Sequence, residues 1–353
     1  MPLTRVRITA LRCLAQVELG LQAQCNYVFG PNGAGKTSIL EGIFLLGRGR
    51  SFRTRQIRRL VRHGTDGVAV YGEVLQQGRA QRLGVSYAAG RLEKKIDGAE
   101  ADGMGALAAL LPVHVIDPSV HQLVEGGPSE RRRFLDWGVF HVEHGYLEAW
   151  KRYRRVLSQR NAALKAGAGP GELRSWTEAL VDAGTAIDAS RRAYVARLAV
   201  AAGEFGRQLL DQRVELDYRQ GWRHGLSLVE ALAAAEPRDR QIGTTEVGPH
   251  RADLALHLEE RRVQDEASRG QQKLTAAALV LAQVAVGAAD SNQDVLLVDD
   301  PAAELDADSL ERLLTVLRDL PAQLVLTGLS PRQLAPRAGF PVFHVEHGEV
   351  RAL

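Results

Sequence analysis

The chain of 353 residues has only two cysteines, Cys13 and Cys25. Two cysteines cannot build the disulfide framework of a small secreted domain, and both fall on segments that the apolar pattern predicts to be buried strands. The first residues also lack the apolar segment of a secretory signal. These absences favour a reducing compartment, and we expect a cytoplasmic protein.

Long apolar runs are absent as well. The most apolar stretch, residues 274–289, is rich in alanine and is interrupted by Thr275 and Gln283. It is shorter than the roughly 20 residues that a helix needs to cross a bilayer, so we predict a buried helix and no membrane partner. The composition, 45% apolar and 25% charged with a net charge of +3, is that of an ordinary globular protein of one or two domains.

A glycine-rich loop is the strongest positive signal. Apolar residues at 25–29 predict a buried strand, and Ile39, Leu40 and Ile43 follow the loop at helical spacing. This order of strand, loop and helix distinguishes a phosphate-binding loop (P-loop) from a chance glycine turn. The predicted ATP-binding residues of the loop are Gly30, Pro31, Asn32, Gly33, Ala34, Gly35, Lys36, Thr37 and Ser38.

Each residue type in this P-loop has a chemical role. The glycines let backbone N–H groups turn inward, with no Cβ to block a polyphosphate. The anion would then lie at a helix N-terminus, which favours negative charge. Lys36 is expected to contact the β- and γ-phosphates, and the Thr37 hydroxyl to ligate the Mg²⁺ that accompanies ATP.

The periodicity along the chain predicts an α/β fold interrupted by helices. Strand-like alternation dominates residues 3–116, which read as one mixed sheet with a helix, and helical spacing dominates 129–211. We therefore predict a nucleotide-binding head made of residues 1–117 and 244–353, with a mainly helical lobe at 118–243. No long heptad run and no Cys-x-x-Cys motif occurs, which argues against a long coiled-coil arm.

Two adjacent carboxylates follow an apolar run at 295–298. Because α/β sheets bind ligands at the carboxyl ends of their strands, Asp299 is predicted to hold Mg²⁺ together with Thr37. Asp300 would orient or deprotonate an attacking water. Together with Lys36, which contacts the phosphates, Asp300 is a predicted catalytic residue. Solvated acids at the end of a buried strand are the competing explanation, and the P-loop argues against it.

Residues 268–273 resemble the signature motif of ATP-binding-cassette (ABC) proteins. A serine before a long apolar helix usually serves only as an N-cap. The order of P-loop, signature and Asp299 nevertheless resembles that superfamily, in which the signature of one subunit covers the γ-phosphate held by another. The resemblance implies a signature acting in trans, formed by Ser268, Arg269, Gly270 and Gln271. It also implies a D-loop that links the two sites and includes Glu304 and Asp306.

Longer motifs resemble the RecF family of DNA replication and repair proteins. They lie, in the order of that family, at 47–53, 127–136, 248–251, 268–271 and 299–300. The resemblance implies an ABC-type ATPase head with a mixed sheet, a mainly helical second lobe, and a weak, DNA-stimulated ATPase that forms a homodimer on ATP. It further implies gapped or single-strand/double-strand junction DNA as the target, RecR and RecO as partners, and an indirect role in loading RecA.

Arginines dominate the stretch after the P-loop helix, where residues 48–62 contain seven arginines and no acid. A charge run is usually a solvated face, but unopposed arginines beside an ATP site also suit DNA phosphates. The predicted DNA contacts are Arg48, Arg50, Arg53, Arg55, Arg58 and Arg59. Arg12 resembles an arginine that SMC-like heads place near the nucleotide, and we add it to the predicted ATP site.

Three positions depart from the RecF pattern. Ala303 occupies the place of a D-loop serine, Ala252 that of an acid, and Ser119 that of the acid that usually follows Pro118. These departures concern hydrolysis and the Q-loop glutamine, for which Gln122 is a candidate. Two alternative functions stay open, namely a DNA-binding scaffold that holds ATP without turning it over and a transporter ATPase subunit.

Overall fold

The structure is a computed structural model that describes residues 2–76, 78–289, 294–331 and 340–353. The chain divides into two compact units. Met1–Val120 and Ala277–Leu353 form the first, which we name the head unit, and His121–Ala276 forms the second, the helical unit. The chain thus enters the helical unit close to the predicted position of 118 and leaves it at 277 rather than at 244, so residues 268–271 fall within it.

The secondary-structure elements alternate between strand-rich and helix-rich segments. The strands are β1 (Leu3–Leu11), β2 (Leu14–Gly20), β3 (Cys25–Phe29), β4 (Gly67–Gln76), β5 (Arg79–Ala88), β6 (Arg91–Ile96), β7 (Ala99–Glu100), β8 (Val113–Ile116), β9 (Val214–Arg219), β10 (Asp253–Leu258), β11 (Arg261–Arg262), β12 (Val295–Val298), β13 (Gln323–Gly328), β14 (Val342–Glu346) and β15 (Glu349–Ala352). The helices are α1 (Lys36–Arg48), α2 (Gly103–Leu110), α3 (Gln122–Glu125), α4 (Pro128–Val142), α5 (Tyr146–Lys165), α6 (Pro170–Leu210), α7 (Leu228–Ile242), α8 (Val263–Glu266), α9 (Arg269–Ala288) and α10 (Ala307–Asp319). Among the described helices, none combines the length and apolar character needed to span a bilayer.

The head unit contains two six-stranded sheets. The first has the order β2-β1-β4-β5-β6-β7, and all its neighbouring strands are antiparallel. The second has the order β15-β14-β3-β13-β12-β8, in which β15 is antiparallel and the other strands are parallel. Strands β12 and β13 are buried throughout, and the burial of β12 on both faces explains why it reads as a continuous apolar run.

Helix α1, which follows the P-loop, packs against strands of both sheets. It contacts β1 and β4 in the first sheet and β8 and β13 in the second. Ile39, Ile43 and Leu46 are fully buried in a hydrophobic core that also includes Ile8 and Leu297. The P-loop is therefore anchored by a helix that is buried between strands of both sheets.

Two sequence-based expectations about this region were wrong. Residues 3–116 do not form one mixed sheet, because β3 and β8 pair in the second sheet, while β1, β2 and β4 to β7 pair in the first. Cys13 does not lie on a buried strand but is exposed in the turn between β1 and β2. Strands β4, β5 and β6 form an antiparallel meander within the first sheet.

The helical unit is built around α6, a continuous helix of 41 residues. Strands β9, β10 and β11 form its small antiparallel sheet. A Cβ on Gly206 would lie 2.7 Å from the backbone N of Val214, so this glycine lets β9 approach α6 closely. No described helix is longer than α6, in agreement with the predicted lack of a long coiled-coil arm.

Candidate functional site

The loop between β3 and α1 requires its glycines. Gly33 and Gly35 have φ angles of +78° and +117°, in the left-handed region that favours glycine. A Cβ on Gly30 would lie only 2.1 Å from the carbonyl oxygen of Val345 in β14, so the neighbouring strand excludes any side chain there. Because α1 begins at Lys36, an anion held by this loop would lie at a helix N-terminus.

Lys36 is buried and folds over the loop that precedes it. Its Nζ donates to the carbonyl oxygens of Gly30 at 2.8 Å and Pro31 at 3.1 Å. Burial lowers the pKa of Lys36, while Asp300 and Asp299 oppose that shift. The ammonium group therefore lies where phosphate oxygens can replace the two carbonyls as acceptors.

Thr37, in the first turn of α1, contacts Asp299, which directly follows β12. Thr37 Oγ1 lies 3.0 and 2.9 Å from the two carboxylate oxygens of Asp299. Thr327, at the end of β13, donates to Asp299 at 2.8 Å and accepts the N–H of Asp300 at 2.9 Å. Hydroxyl and carboxylate oxygens are ligands that Mg²⁺ prefers, so Thr37 and Asp299 fit the predicted cation.

Asp300 adopts an unusual backbone conformation for a residue with a side chain. Its φ and ψ are 43° and 58°, in the left-handed region. Its Oδ1 is buried and has no hydrogen-bond partner among the described residues. Burial raises the pKa of Asp300, and Lys36 partly opposes this shift. A carboxylate with one buried oxygen that has no partner is suited to accepting a proton from water.

Arg12 forms a bidentate ion pair with helix α1. Its Nε and a terminal nitrogen each donate to Glu41 at 2.9 Å, and this hydrogen bonding raises the pKa of Arg12. The Glu41 carboxylate is fully buried and also accepts from Ser51 Oγ. The sequence did not mark Glu41, although an acid within the apolar run 39–43 was the available signal.

The arginine-rich stretch separates into two environments. Arg48 turns inward, donates to the carbonyl of Val113 at 2.8 Å and lies 5.4 Å from the ring centre of Phe44. Burial lowers the pKa of Arg48 well below its ordinary value. The other predicted DNA contacts are exposed, namely Arg50, Arg53, Arg55, Arg58 and Arg59. Arg48 is therefore half-buried and bonded to β8, unlike the other predicted DNA contacts.

The signature residues form an exposed helix start in the helical unit. Ser268 Oγ accepts the N–H of Gln271 at 3.3 Å, and the Ser268 N–H donates to the Gln271 side chain at 3.0 Å. The N-cap that the sequence offered as the simpler explanation is thus present. Arg269 and Gly270 are also exposed, so this turn is open to a further contact.

The D-loop residues lie in the head unit between β12 and α10. Asp306 is the N-cap of α10 and accepts the N–H of Ser309 at 2.9 Å, which lowers the pKa of Asp306. Glu304 is half-buried and directly follows a short 3-10 turn at Pro301–Ala303. Their predicted role in linking two sites stays a prediction.

Asp117 is a carboxylate that the sequence did not suggest for this site. It follows β8 directly, as Asp299 follows the neighbouring strand β12. Ser119 Oγ donates to Asp117 at 2.7 Å. Burial raises the pKa of Asp117, and the nearby Asp299 adds to that shift. The available signal was an acid after the apolar run 113–116.

Comparison with known sequences identifies close relatives of the whole chain. The family described as RecF/RecN/SMC N terminal domain matches residues 2–348. A DNA replication and repair protein RecF from Azotobacter vinelandii is 41% identical over 362 residues, covering 99% of this chain and 98% of the relative. The protein of the same name from Stenotrophomonas maltophilia is 40% identical and covers 100% of both chains.

Solved structures resemble the chain over its whole length. A structure described as the recombination mediator protein RecF-ATP in the RecFOR pathway has a TM-score of 0.87 at 25% identity, covering 99% of this chain and 97% of the other. An Smc head domain from Pyrococcus furiosus has a TM-score of 0.63 at 14% identity over 99% of this chain and 95% of the other, and shows the fold alone. The predicted fold class, an ABC-type ATPase head with a mainly helical second part, is confirmed.

Proposed function

Since the chain belongs to the RecF family of DNA replication and repair proteins, we propose that it is an ATP-dependent DNA-binding protein of recombination and repair. It binds ATP with Mg²⁺ and dimerises on ATP at gapped DNA or at single-strand/double-strand junctions. It acts with RecO and RecR to help load RecA, and it hydrolyses ATP slowly and under the control of DNA. Its place is the cytoplasm, in association with the nucleoid.

The observation that carries the proposal is the contact between Thr37 and Asp299, which joins two motifs 262 positions apart. Thr37 and Asp299 are the residues that would hold Mg²⁺. When bound, Mg²⁺ neutralises phosphate charge and favours displacement at the γ-phosphate. Lys36 supplies the second positive charge, once its Nζ exchanges the two loop carbonyls for phosphate oxygens.

Asp300 is the proposed proton acceptor in hydrolysis. Its partner-free carboxylate oxygen and its raised pKa favour uptake of a proton from an attacking water. Ser268, Arg269, Gly270 and Gln271 would come from a second copy of the chain, in keeping with the exposure of the first three. In this proposal ATP closes a dimer on DNA, and hydrolysis opens it again.

Turnover is tested with an Asp300→Asn variant and gapped DNA. We expect the variant to bind ATP and dimerise as the wild type does, while phosphate release falls by on the order of 100-fold or more, because the base is lost. Asp319→Asn, an exposed acid in α10, is the matched control and should change neither property. A wild-type protein with no ATP-dependent binding to DNA would overturn the proposed function.

The scaffold alternative is tested separately with Lys36→Arg. If this variant loses ATP hydrolysis but keeps ATP-dependent dimerisation on DNA and supports repair in cells, hydrolysis is dispensable and the scaffold is correct. If repair is lost together with hydrolysis while dimerisation remains, turnover is part of the function. Dimerisation is measured by analytical ultracentrifugation, and repair by survival after ultraviolet irradiation.

A further inference from the structure

The ends of β8 and β12 place two carboxylates side by side. The backbone N–H of Asp299 donates to the carbonyl of Ile116 at 2.9 Å, and the parallel register pairs Val298 with Ile116. The next pair in this register is therefore Asp299 and Asp117. Neighbouring strands lie about 4.8 Å apart, so the backbones of these two acids are adjacent.

The pairing also determines the side of the sheet on which Asp117 begins. Residues paired across neighbouring strands project to the same face. The Asp299 carboxylate projects toward Thr37 in α1, so the Asp117 side chain leaves its strand on the P-loop side. The hydroxyl of Ser119, bonded at 2.7 Å, then holds one carboxylate oxygen of Asp117.

We propose that Asp117 is a second carboxylate of the magnesium site, acting beside Asp299 on the cation that accompanies ATP. The inference rests on the proposed binding of ATP. An acid usually follows this proline in RecF-like sequences, but here that residue is Ser119. The acid of the segment is Asp117, which lies before the proline at the end of the strand.

The charge balance of the site supports this role. Asp117, Asp299 and Asp300 follow two adjacent strands, and of these Asp299 and Asp300 lie near the buried Lys36. Neighbouring carboxylates repel each other, and a divalent cation bound between them relieves that repulsion. Asp117 would act on the cation directly or through a water. Groups that hydrogen-bond to the ligands of a metal commonly change its affinity by 10- to 100-fold.

The test is a titration of Mg²⁺ at a fixed concentration of a fluorescent ATP analogue, followed by anisotropy. In Asp117→Asn we expect the Mg²⁺ concentration at half-maximal binding to rise by on the order of 10-fold. In EDTA the variant should bind the analogue as well as the wild type or better, because one negative charge next to the triphosphate is gone. A residue with only a structural role would weaken binding of the analogue both with Mg²⁺ and with EDTA. Weaker binding with Mg²⁺ together with unchanged or stronger binding in EDTA therefore indicates a contact with the cation.

Two variants serve as controls. Ser119→Ala keeps both carboxylates and should shift the Mg²⁺ midpoint less than Asp117→Asn, and Asp102→Asn removes an exposed acid of the head unit and should not shift it. An unchanged midpoint in Asp117→Asn, or an equal loss of binding with Mg²⁺ and with EDTA, would overturn the inference. Failure of the wild type to bind the analogue under any condition would instead overturn the proposed function.

Discussion

At the scale of single residues, the structure pairs Arg12, a predicted ATP contact, with the buried carboxylate of Glu41. The sequence places Arg12 at the nucleotide, but its guanidinium is bonded to both oxygens of a fully buried Glu41. Leaving a buried carboxylate unpaired costs about 3 to 5 kcal/mol. A guanidinium has five N–H donors, so Arg12 can keep both bonds to Glu41 and still donate to a phosphate from its other terminal nitrogen. Only a full withdrawal from Glu41 would leave Ser51 and Arg53 as the remaining groups near that carboxylate.

His250 is the residue for which we predict a pH effect. Its Nε2 lies 3.0 Å from the carbonyl of Thr245, which can only accept, so Nε2 carries the proton and Nδ1 accepts from the Tyr153 hydroxyl at 2.7 Å. Burial lowers the pKa of His250, so below about pH 6.5 the unfolded chain binds the proton more readily than the folded one. Stability should therefore fall as the pH drops through this range.

The measurement is the urea midpoint of unfolding at pH 7.5 and at pH 5.5. We expect a smaller difference between the two midpoints in His250→Gln than in the wild type. His224→Gln, at an exposed histidine of the same unit, should keep the wild-type difference. Equal pH dependence in the wild type and His250→Gln would show that this histidine does not control the effect.

At the scale of elements, the start of α9 combines a structural and a predicted functional role. Ser268 caps its helix by the same reciprocal arrangement with which Ser227 caps α7. The two serines differ in sequence context, since only Ser268 lies in the signature motif. A comparison of the two separates helix capping from contact with a second subunit.

We predict that Ser268→Ala weakens the ATP-dependent dimer while ATP binding by the monomer persists. Ser227→Ala should lose the same cap, worth about 1 kcal/mol, and keep the dimer. Sedimentation with a non-hydrolysable ATP analogue measures the dimer, and urea unfolding measures the cap. Equal dimerisation in both variants and the wild type would remove Ser268 from the interface.

The exposed arginine segment gives a prediction about salt. If Arg53, Arg55 and Arg58 contact phosphates, replacing all three by Ala should reduce the slope of log affinity for DNA against log salt by up to about 3. Arg152, Arg155 and Arg174, exposed in α5 and α6, are the matched triple control and should leave the slope unchanged. An unaltered slope in the first triple variant would exclude this segment from the DNA contact.

At the scale of the whole molecule, stability depends on buried polar pairs as well as on the apolar core. In the helical unit Arg160 and Asp239 are both fully buried and lie 2.8 Å apart, joining α5 to α7. Thr245 also accepts from Arg160. The pair is 79 positions apart in sequence, so it holds together segments that no local signal connects.

We predict that Asp239→Ala lowers the free energy of unfolding by about 3 to 5 kcal/mol, because it leaves Arg160 charged and buried. Urea unfolding followed by circular dichroism measures the change. Asp182→Ala, at an exposed acid of the same unit, should change it by less than about 1 kcal/mol. Similar losses of unfolding free energy in the two variants would mean that the buried pair stabilises the protein no more than an exposed acid does.

The sequence by itself determined the features that depend on neighbours along the chain. The P-loop at 30–37, the strand before Asp299 and the helix after Ser268 were predicted because glycine spacing, apolar runs and caps are local signals. The order of these motifs was also sufficient to suggest the family.

Only the tertiary structure decided which of these segments meet. The order β3-β13-β12-β8 brings Asp299 to Thr37 and places Asp117 beside Asp299, while β1 and β2 join a different sheet. The pairing of Arg12 with Glu41 likewise depends on how α1 packs. The physical reason is that strand order and side-chain pairing arise from hydrogen bonds and packing between distant segments, which the periodicity of any one segment does not encode.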